Sequence, residues 1–447
     1  MQNIVDQNPS TAVVITSGGS PAAFDIVRTL AMAGIRTAVA SSQRDDIAYY
    51  SRNCSGKIFL PPFQRSNEEE IAQCLEAFAR QQKELPVLYY ASDAELSFVW
   101  RYRNRLSSWY KFLLPPDDLL ECLFNKVSFS KFAKNYGLPV PETVIVKNAD
   151  DLSGAVSLIQ YPCIVKPAFS MDWVWETEEQ KIKFGPYKKA LRRISSKEEL
   201  IDFCRALPAR NSGYLIQSYI EGGDENILSF HGYFDEQSRC VGYFIGRKIR
   251  TYPPHTGGSA YVRTIYHPTL AQLSVEYLQR IQFRGIAKID FKWDPRDEEF
   301  KILEINPRYN LWEVVGAFAG ANLVYIAHQD QRGEEIAAQV FYKNDVRFLY
   351  LKQDVRAFFE GYRTTGEWTL KTYLQSLWRK KYYRVFDHND MRPFLVSLFA
   401  FVKRNVQRLF SRDTVKQPPA PTGPRLLSKQ QPATAKAVPS FQDIVHL

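Results

Sequence analysis

Apolar and polar positions near the N-terminus follow the order expected of a parallel sheet. The stretch "TAVVITSGGSPAAFDIVRTLAMAGIRTAVASS" (11–42) predicts a strand, a turn of small residues, a helix and a second strand. "VLYYAS" (87–92) predicts a further strand after a helical segment. The turn lacks the full G-x-G-x-x-G spacing and no acid closes the second strand, which argues against a dinucleotide site. We interpret the turn as a plain strand-to-helix connection, with an anion contact at the helix start as the alternative.

The clearest alternation lies in "IAKIDFKWDPRDEEFKILEINPRYN" (286–310), which predicts two strands around a sharp polar turn. A turn centred on Asp297 places Asp290 opposite Glu304, and puts Ile302 on the same face as Glu304. The charged and amide side chains of that face are Lys288, Asp290, Lys292, Glu304 and Asn306.

Two carboxylates that face each other across strands need a counter-charge, because directly opposed like charges destabilise a sheet. The two acids and Asn306 together form an oxygen-rich set that suits Mg²⁺. The alternative is that Lys288 and Lys292 neutralise the acids on a solvated face.

Two upstream motifs carry related chemistry. In "PCIVKPAFS" (162–170), Lys166 lies in a β-branched strand that ends at proline, either as an edge residue or as a phosphate-binding charge. "LIQSYIEGGDENILSFHGYFD" (215–235) predicts two strands around "EGGDE". Its free backbone edge beside an acid suits an adenine and a ribose hydroxyl, and an ordinary hairpin turn is the alternative.

Composition places the chain among globular proteins of several domains. It has 447 residues, 45% hydrophobic and 14% aromatic. Its six cysteines are scattered without a C-x-x-C pair, which is typical of reduced thiols in a cytoplasmic protein. We expect neither a signal peptide nor a spanning helix.

Charge divides the chain unevenly. Residues 1–330 hold 38 Lys and Arg against 38 Asp and Glu, whereas 331–447 hold 20 against 10. A protein-wide nucleic-acid surface is therefore not expected, and the basic excess belongs to a C-terminal appendage. Pro, Gln, Ala and Lys dominate from residue 411, which is typical of a disordered tail.

The chain resembles the ATP-grasp superfamily over residues 11–330 in an ordered set of motifs. In order along the chain, they are Lys126 on a helix, Lys166 in K-P, "QSYIEGGDE", "KID" and "EINPR". "FIGRKIRTYPPHTGGSAY" (244–261) resembles a branch of ATP-grasp carboligases, or carboxylate–amine ligases. The resemblance implies a pre-ATP-grasp Rossmann-like domain (11–120), an ATP-grasp domain of two α+β subdomains (121–330), a basic helical region (331–410) and a disordered tail (411–447).

The resemblance also implies roles for the hairpin residues. Asp290, Glu304 and Asn306 would bind one or two Mg²⁺, with Mn²⁺ as an alternative ion. Lys288 would contact the transferred phosphate, and Arg308 would hold a carboxylate substrate or its acyl phosphate.

Other residues match positions that contact ATP in the superfamily. The matches are Lys126 and Lys166 at the phosphates and the adenine side, Gln217 with the backbone of Ser218 and Ile220 at the adenine edge, and Asp224, or Glu225 beside it, at the ribose.

The segment "GRKIRTYPPHTGG" adds cations that alternate with apolar residues. We predict that Arg247 contacts the triphosphate or the acyl phosphate. His255, in the loop that follows, either touches substrate or is an exposed loop histidine.

The implied activity is an ATP-dependent ligase that activates a small-molecule carboxylate for attack by an amine. Where relatives have a glycine-rich phosphate loop, this chain has "AFSMDWVWETEEQKIKFGPYKKALR" (168–192), which leaves the form of the lid open. Two alternatives follow: a carboxylase-type enzyme that uses bicarbonate, and a nucleotide-binding module without catalysis. A homodimer is compatible with the resemblance.

The basic C-terminal region contains "RPFLVSLFAFVKRNVQRLF" (392–410), in which Ser397 is the one polar residue between 394 and 402. We expect residues 378–410 to pack on the body of the protein. The alternative is a peripheral contact with an anionic membrane, at its inner surface.

Overall fold

The computed structural model describes residues 12–18, 21–147, 149–168, 193–205, 207, 213–255, 257–336 and 342–411, with the backbone alone at 149–150 and 404–411. Gly19 and Ser20 of the predicted N-terminal turn lie outside the described residues, as does the predicted lid segment apart from Ala168. The predicted tail also lies outside them from residue 412 onward.

The strands form three sheets. They are β1 (Ala12–Thr16), β2 (Thr37–Ser41), β3 (Cys54–Phe59), β4 (Val87–Tyr90), β5 (Thr143–Val146), β6 (Cys163–Pro167), β7 (Tyr214–Ser218), β8 (Ile227–Phe234), β9 (Cys240–Tyr252), β10 (Gly258–Ile265), β11 (Gly285–Asp294), β12 (Glu299–Asn306), β13 (Arg347–Leu349) and β14 (Tyr382–Tyr383).

The α-helices cover and connect these sheets. They are α1 (Ala22–Ala31), α2 (Glu68–Ala79), α3 (Asp93–Arg101), α4 (Arg103–Leu106), α5 (Asp117–Phe124), α6 (Lys126–Asn135), α7 (Ala149–Leu158), α8 (Lys197–Arg205), α9 (Pro268–Arg280), α10 (Glu313–Ala319), α11 (Leu323–Arg332), α12 (Leu351–Ala357), α13 (Leu370–Leu377) and α14 (Arg392–Ser411).

The N-terminal sheet is parallel, in the order β3-β2-β1-β4. Every residue of β1 and β2 is buried, as expected of apolar strands covered on both faces. Helix α1 covers one face and α2 and α3 cover the other. The buried carboxylate of Glu95 accepts hydrogen bonds from the backbone N–H groups of Ser17 (2.7 Å) and Ala91 (2.8 Å), so it ties the end of β1 to the end of β4.

A small antiparallel sheet follows, in the order β5-β7-β6. Helices α7 and α8 pack on one face of it through Ala155, Val156, Leu200 and Phe203. The other face carries Lys166 and Gln217, whose side chains meet. The same face also carries Ile145 and Leu215, which pack with Val127 of α6. We call it the polar face because Lys166 and Gln217 lie on it.

The large sheet has the order β12-β11-β8-β9-β10-β13-β14 and is antiparallel except for the β13–β14 pair. We call the face that carries Ser229 and Asp290 the front face. The opposite, back face packs against α9 through apolar side chains such as Phe230 and Ile289. Part of the front face shares a core with α1, so the N-terminal and large sheets pack together.

The β11–β12 hairpin has the predicted register at the acids and a different one at its turn. Asp290 pairs with Glu304, as predicted, but Phe291 pairs with Ile302 because a bulge adds one residue to β12. Ile302 consequently packs in the back-face core beside Phe291. Its predicted place on the face of Glu304 is therefore wrong.

The C-terminal region, residues 342–411, contains the predicted helices and also two short strands, β13 and β14, that extend the large sheet. This sheet crosses the predicted domain boundary at residue 330. Arg384, just after β14, donates to the carboxylate of Asp25 in α1 (2.9 Å) and to the Leu311 carbonyl (2.8 Å). Residues 382–390 thus pack on the body of the protein.

Candidate active site

The acid pair of the hairpin lies among cations on the front face of the large sheet. Lys288 donates to Asp290 Oδ2 at 2.7 Å, and the ammonium of Lys248 lies 3.5 Å from the same oxygen. The Ser229 hydroxyl donates to Oδ1. Asp290 is 4% exposed and Lys292 is 7% exposed, so this part of the face is not solvated. Lys288 does neutralise Asp290, as that alternative predicted, whereas Lys292 donates to the Gly222 carbonyl instead.

The charges of this cluster shift one another's ionisation. Burial by itself raises the pKa of Asp290. The ammonium groups of Lys248 and Lys288 lower this pKa by more than burial raises it, so the net shift is downward. Burial lowers the pKa of Lys288, against the attraction of Asp290. The site therefore holds an ionised carboxylate, Asp290, against two ammonium groups, with Glu304 as the second acid beside Lys288.

Arg247 does not join this cluster, because alternation along β9 turns its side chain to the back face. It pairs in register with Leu228, while the next residue, Lys248, reaches Asp290. The prediction that Arg247 contacts the phosphates is corrected by this geometry. Lys248, which sequence reasoning missed, occupies that place, and the parity of β9 relative to Asp290 is the signal that would have identified it.

The polar face of the small sheet carries the second group of predicted residues. The ammonium of Lys166 donates to Gln217 Oε1 at 2.7 Å, and the Gln217 amide donates to the Thr143 hydroxyl at 2.9 Å. Lys126 is the first residue of α6, and its backbone N–H donates to the carbonyl of Ala168 at 2.9 Å. The start of α6 is thus fastened to the end of the Lys166 strand.

The segment after β7 connects the small and large sheets. The backbone N–H of Ser218 donates to the Glu142 carbonyl at 2.9 Å, so an adenine contact at Ser218 would have to use its carbonyl. Ile220 is 3% exposed. Lys292 donates to the Gly222 carbonyl at 2.8 Å and lies 5.0 Å above the Tyr219 ring. Lys292, on β11, therefore links the segment after β7 to the β11–β12 hairpin.

Asp224, the acid predicted to bind the ribose, is buried and hydrogen-bonded within the protein. It is 2% exposed, and its Oδ2 accepts from the hydroxyls of Thr251 (2.7 Å) and Tyr362. His255 Nδ1 lies 3.4 Å from Oδ1, and this hydrogen bond raises the pKa of His255 to about 9. A ribose cannot reach Asp224 without displacing these groups. Glu225 is exposed, but it lines a cavity at the back face.

Arg308 lies where the hairpin meets the N-terminal sheet. Its Nε donates to Asp93 at the start of α3, and its Nη2 lies 3.4 Å from Asn306 Oδ1. Glu304 is half-buried opposite Asp290. Arg308 therefore links Asn306, at the end of β12, to α3 of the N-terminal region.

The donor chemistry of the hairpin fits a hard divalent cation. Asp290 and Glu304 offer carboxylate oxygens on paired residues, and Asn306 adds an amide oxygen two residues on. Among the described residues, no group of three or more His, Cys, Asp or Glu side chains is arranged to hold a metal. The acid–acid–amide set is thus the candidate that the described chain offers.

The chain resembles ligases and synthases in sequence. No protein-family model matches it. It is 28% identical to the D-aspartate ligase of Enterococcus faecium (strain Aus0004), over 55% of this chain and 58% of that protein. It is also 28% identical to the C-terminal section of the carbamoyl phosphate synthase large chain of Methanopyrus kandleri, over 43% of this chain and 34% of that protein. The chain thus spans less than two thirds of the length of these relatives.

Solved structures share the fold. N5-carboxyaminoimidazole synthetase from Staphylococcus aureus, complexed with ADP, matches with a TM-score of 0.58 at 13% identity, over 81% of this chain and 88% of that one. The biotin carboxylase domain of Hydrogenobacter thermophilus 2-oxoglutarate carboxylase, complexed with MgADP and bicarbonate, matches with a TM-score of 0.55 at 14% identity, over 76% and 74%. These likenesses confirm the predicted fold.

Proposed function

We propose that this chain is an ATP-grasp enzyme, an ATP- and Mg²⁺-dependent ligase that joins a carboxylate to an amine. The observation that carries the proposal is the convergence of Lys248 and Lys288 on Asp290, directly opposite Glu304. Paired acids for a metal and fixed cations for a phosphate are the two requirements of phosphoryl transfer to an anion. The sequence similarity to D-aspartate ligase supports this class of reaction.

The reaction proceeds in two steps. A carboxylate oxygen attacks the γ-phosphorus of ATP, the bond from that phosphorus to the β,γ-bridging oxygen breaks, and ADP leaves. The amine nitrogen then attacks the carbonyl carbon of the acyl phosphate, inorganic phosphate leaves, and the nitrogen loses a proton. Both reactants of the first step are anions, so fixed positive charge at the transferred group lowers the barrier.

The proposed contacts with Mg²⁺ and ATP come from two sheets, the large sheet and the small sheet. Asp290, Glu304 and Asn306 would hold Mg²⁺, which neutralises charge on the β- and γ-phosphates when it is bound. Lys248 is buried, Lys288 is largely buried, and both are already oriented by Asp290, so they cancel phosphate charge with little rearrangement. ATP would lie between this front face and the polar face of the small sheet.

The nucleotide contacts on the small sheet follow from the same placement. Lys126 and Lys166 would bind phosphate oxygens, with Gln217 fixing the Lys166 ammonium through their 2.7 Å hydrogen bond. The adenine edge would meet the Ser218 carbonyl and the Ile220 backbone. We do not assign the ribose contact to Asp224, because it is buried behind Thr251 and Tyr362, or to Glu225, because it lines the cavity at the back face.

Arg308 is the residue we assign to the substrate carboxylate. Its guanidinium contacts Asn306 on one side and Asp93, at the start of α3, on the other. A planar guanidinium binds a carboxylate through two parallel hydrogen bonds. The acceptor would therefore bind between the hairpin and the N-terminal sheet.

The test is ADP and phosphate release over a panel of amino acids and other carboxylates, with and without bicarbonate. We expect turnover that requires both a carboxylate and an amine, and a loss of at least about 100-fold in Asp290→Asn and Glu304→Gln. Asp297→Asn, in the exposed turn of the same hairpin, is the matched control and should retain activity.

Two other results would replace the proposal. ADP release that depends on bicarbonate and needs no second carboxylate would support a carboxylase-type reaction, as in one of the structural neighbours. ATP binding without turnover over the whole panel would favour a non-catalytic module.

We also propose that α14 makes a peripheral contact with an anionic membrane surface. Its apolar residues at helical spacing are largely exposed: Leu395 is 54% exposed, Leu398 46%, Phe399 70% and Val402 50%. Basic residues lie before and within the helix, at Arg379, Lys380, Lys381, Arg392 and Lys403. Exposed apolar side chains with flanking cations fit an anionic bilayer surface. No helix in the described part of the chain has the length and hydropathy to cross a bilayer.

A further inference from the structure

The strand order of the N-terminal sheet, β3-β2-β1-β4, changes direction at β1. From β1 the chain runs outward to β2 and β3, and it then returns to place β4 on the other side of β1. In open parallel sheets, ligands bind beyond the carboxyl ends of the two strands at such a point. Here those ends lead into Ser17, directly after β1, and into Asp93, which begins α3 soon after β4. A small molecule is therefore expected beside Asp93.

The β11–β12 hairpin supplies a cation at this edge of the N-terminal sheet. Arg308, just after β12, donates to the carboxylate of Asp93. The ring of the next residue, Tyr309, packs against Tyr89 (5.1 Å between ring centroids) and Tyr90 (5.7 Å) of β4. Tyr309 is buried, so this packing holds the backbone beside Arg308 against the end of β4. The Arg308–Asp93 contact is therefore part of a packed junction between two sheets.

The two members of this ion pair differ in their exposure. The side chain of Arg308 is 21% exposed, whereas that of Asp93 is 57% exposed. Among the described residues, Arg308 is the one ion-pair partner of Asp93. An ion pair with so exposed a member contributes little to stability, so a ligand can open it at small cost. When opened, it offers a fixed guanidinium and an accessible carboxylate side by side.

These two charges favour a ligand that carries both signs of charge. A plain carboxylate bound to Arg308 would lie beside the carboxylate of Asp93, which repels it. A ligand that also has an ammonium group replaces both halves of the ion pair, with its carboxylate on Arg308 and its ammonium on Asp93. Because the two side chains are in contact, the two charges of the ligand must be close together, as they are in α- and β-amino acids.

We propose that the carboxylate substrate is an amino acid, whose carboxylate binds Arg308 and whose ammonium group binds Asp93. This inference rests on the proposed function, from which it takes the role of Arg308, and it makes Asp93 the residue that selects amino acids over other carboxylates. The carboxylate of Asp93 favours the protonated form of the substrate's amino group, which is not nucleophilic. A second molecule therefore supplies the attacking amine.

The test is isothermal titration calorimetry of the full chain with pairs of probes that differ in the ammonium group alone. The pairs are alanine and propionate, β-alanine and propionate, aspartate and succinate, glutamate and glutarate, and phenylalanine and 3-phenylpropionate, with both enantiomers of each chiral amino acid. Each titration is run with and without Mg²⁺ and the non-hydrolysable ATP analogue AMP-PNP. We expect at least one amino acid to bind at least about tenfold more tightly than its analogue.

Variants of Asp93 separate selection from a structural role. Asp93→Asn should bring the affinities for the two members of the selected pair to within about threefold, because it removes both the attraction for the ammonium group and the repulsion of the plain carboxylate. Asp93→Glu should restore most of the selectivity. Asp117→Asn is the matched control, since Asp117 is likewise the first residue of a helix, exposed and paired with an arginine, Arg103. It should bind as the wild type does.

The inference is overturned if no amino acid binds more tightly than its analogue in either condition, or if Asp93→Asn weakens both members of the selected pair equally. Its failure is distinct from that of the ligase, because binding is measured without turnover. ADP release that is equally fast with carboxylates lacking an ammonium group would keep the ligase and remove the amino-acid site. Selective amino-acid binding without any ADP release would keep the site and remove the ligase.

Discussion

Lys248 contributes one of the two ammonium groups beside Asp290, and its removal leaves that acid with Lys288 alone. We expect Lys248→Gln to lower ATP-dependent turnover about 100-fold, since a fixed cation at a transferring phosphoryl group stabilises the transition state. Steady-state ADP release with the substrates found in the panel measures this. Lys301→Gln removes a cation from the same hairpin that contacts Asp297 and Glu299 instead, and it should have little effect. Equal activities of the two variants would exclude Lys248 from the site.

The sequence predicted Arg247, rather than Lys248, beside the acid pair, and the error has a physical cause. Residue types and alternation show that one of two neighbours faces the acids, but the register of β9 against β8 decides which one. That register is fixed by tertiary packing. Asp224 illustrates the same limit, because Tyr362, which buries it, is 138 residues away in the chain.

At the scale of an element, α10 begins with an unusual acid. Glu313 is fully buried, its Oε1 accepts from the Asn310 amide at 2.8 Å, and its Oε2 has no partner. Burial raises the pKa of Glu313 to about 8. The folded chain therefore keeps a proton on this group that the unfolded chain releases above its ordinary pKa of about 4.3.

The expected consequence is a loss of stability as pH rises. The free energy of unfolding should fall between about pH 4.5 and pH 8, by at most about 1.4 kcal/mol per pH unit from this group. Glu313→Gln cannot ionise, so it should match the wild type near about pH 4 and be more stable near about pH 8. Urea unfolding at several pH values measures both curves. A Gln variant with the same pH slope as the wild type would show that Glu313 is not the titrating group.

The hairpin shows how far an element can be read from alternation. Its two strands and the Asp290–Glu304 pairing follow from the sequence, because a polar turn separates two runs of period two. The bulge in β12 does not follow, since no local signal distinguishes one extra residue from regular alternation. The bulge follows instead from tertiary packing, because it places Ile302 in the back-face core.

At the scale of the molecule, Arg384 holds the C-terminal region against α1. Arg384→Leu leaves Asp25 fully buried beside Arg28, and we expect a loss of about 3–5 kcal/mol of unfolding free energy. Asp25→Asn in the same chain should restore part of this loss, because it removes the uncompensated charge. Thermal denaturation of the single and double variants forms the cycle. A stability equal to wild type in Arg384→Leu would contradict the assignment.

The exposed face of α14 is also a property of the whole molecule. We expect the full chain to co-sediment with phosphatidylglycerol vesicles at low salt, less so at about 0.5 M salt, and not with phosphatidylcholine alone. Leu398→Glu with Phe399→Glu should abolish the interaction, whereas Leu351→Glu, at another exposed leucine, should not. The chain could instead fail to bind vesicles and sediment as a dimer that Leu398→Glu with Phe399→Glu dissociates. That result would show that a second copy of the chain covers this face.

The N-terminal and ATP-grasp architecture could be predicted from strand and motif order, because those motifs are local. The part played by the C-terminal region could not. The three residues of β13 and the two of β14 are too short to show a period, and they become strands only by pairing with the existing edge of the large sheet.

The contact between Arg384 and Asp25 spans 359 residues, and it has a consequence for biosynthesis. A ribosome releases the chain from its N-terminus, so α1 is complete long before its ionic partners exist. Until Arg384 and Asp387 leave the exit tunnel, Asp25 and Arg28 lack these partners. The final packing of the first helix is therefore delayed until residues 384–387 have been synthesised and have left the tunnel.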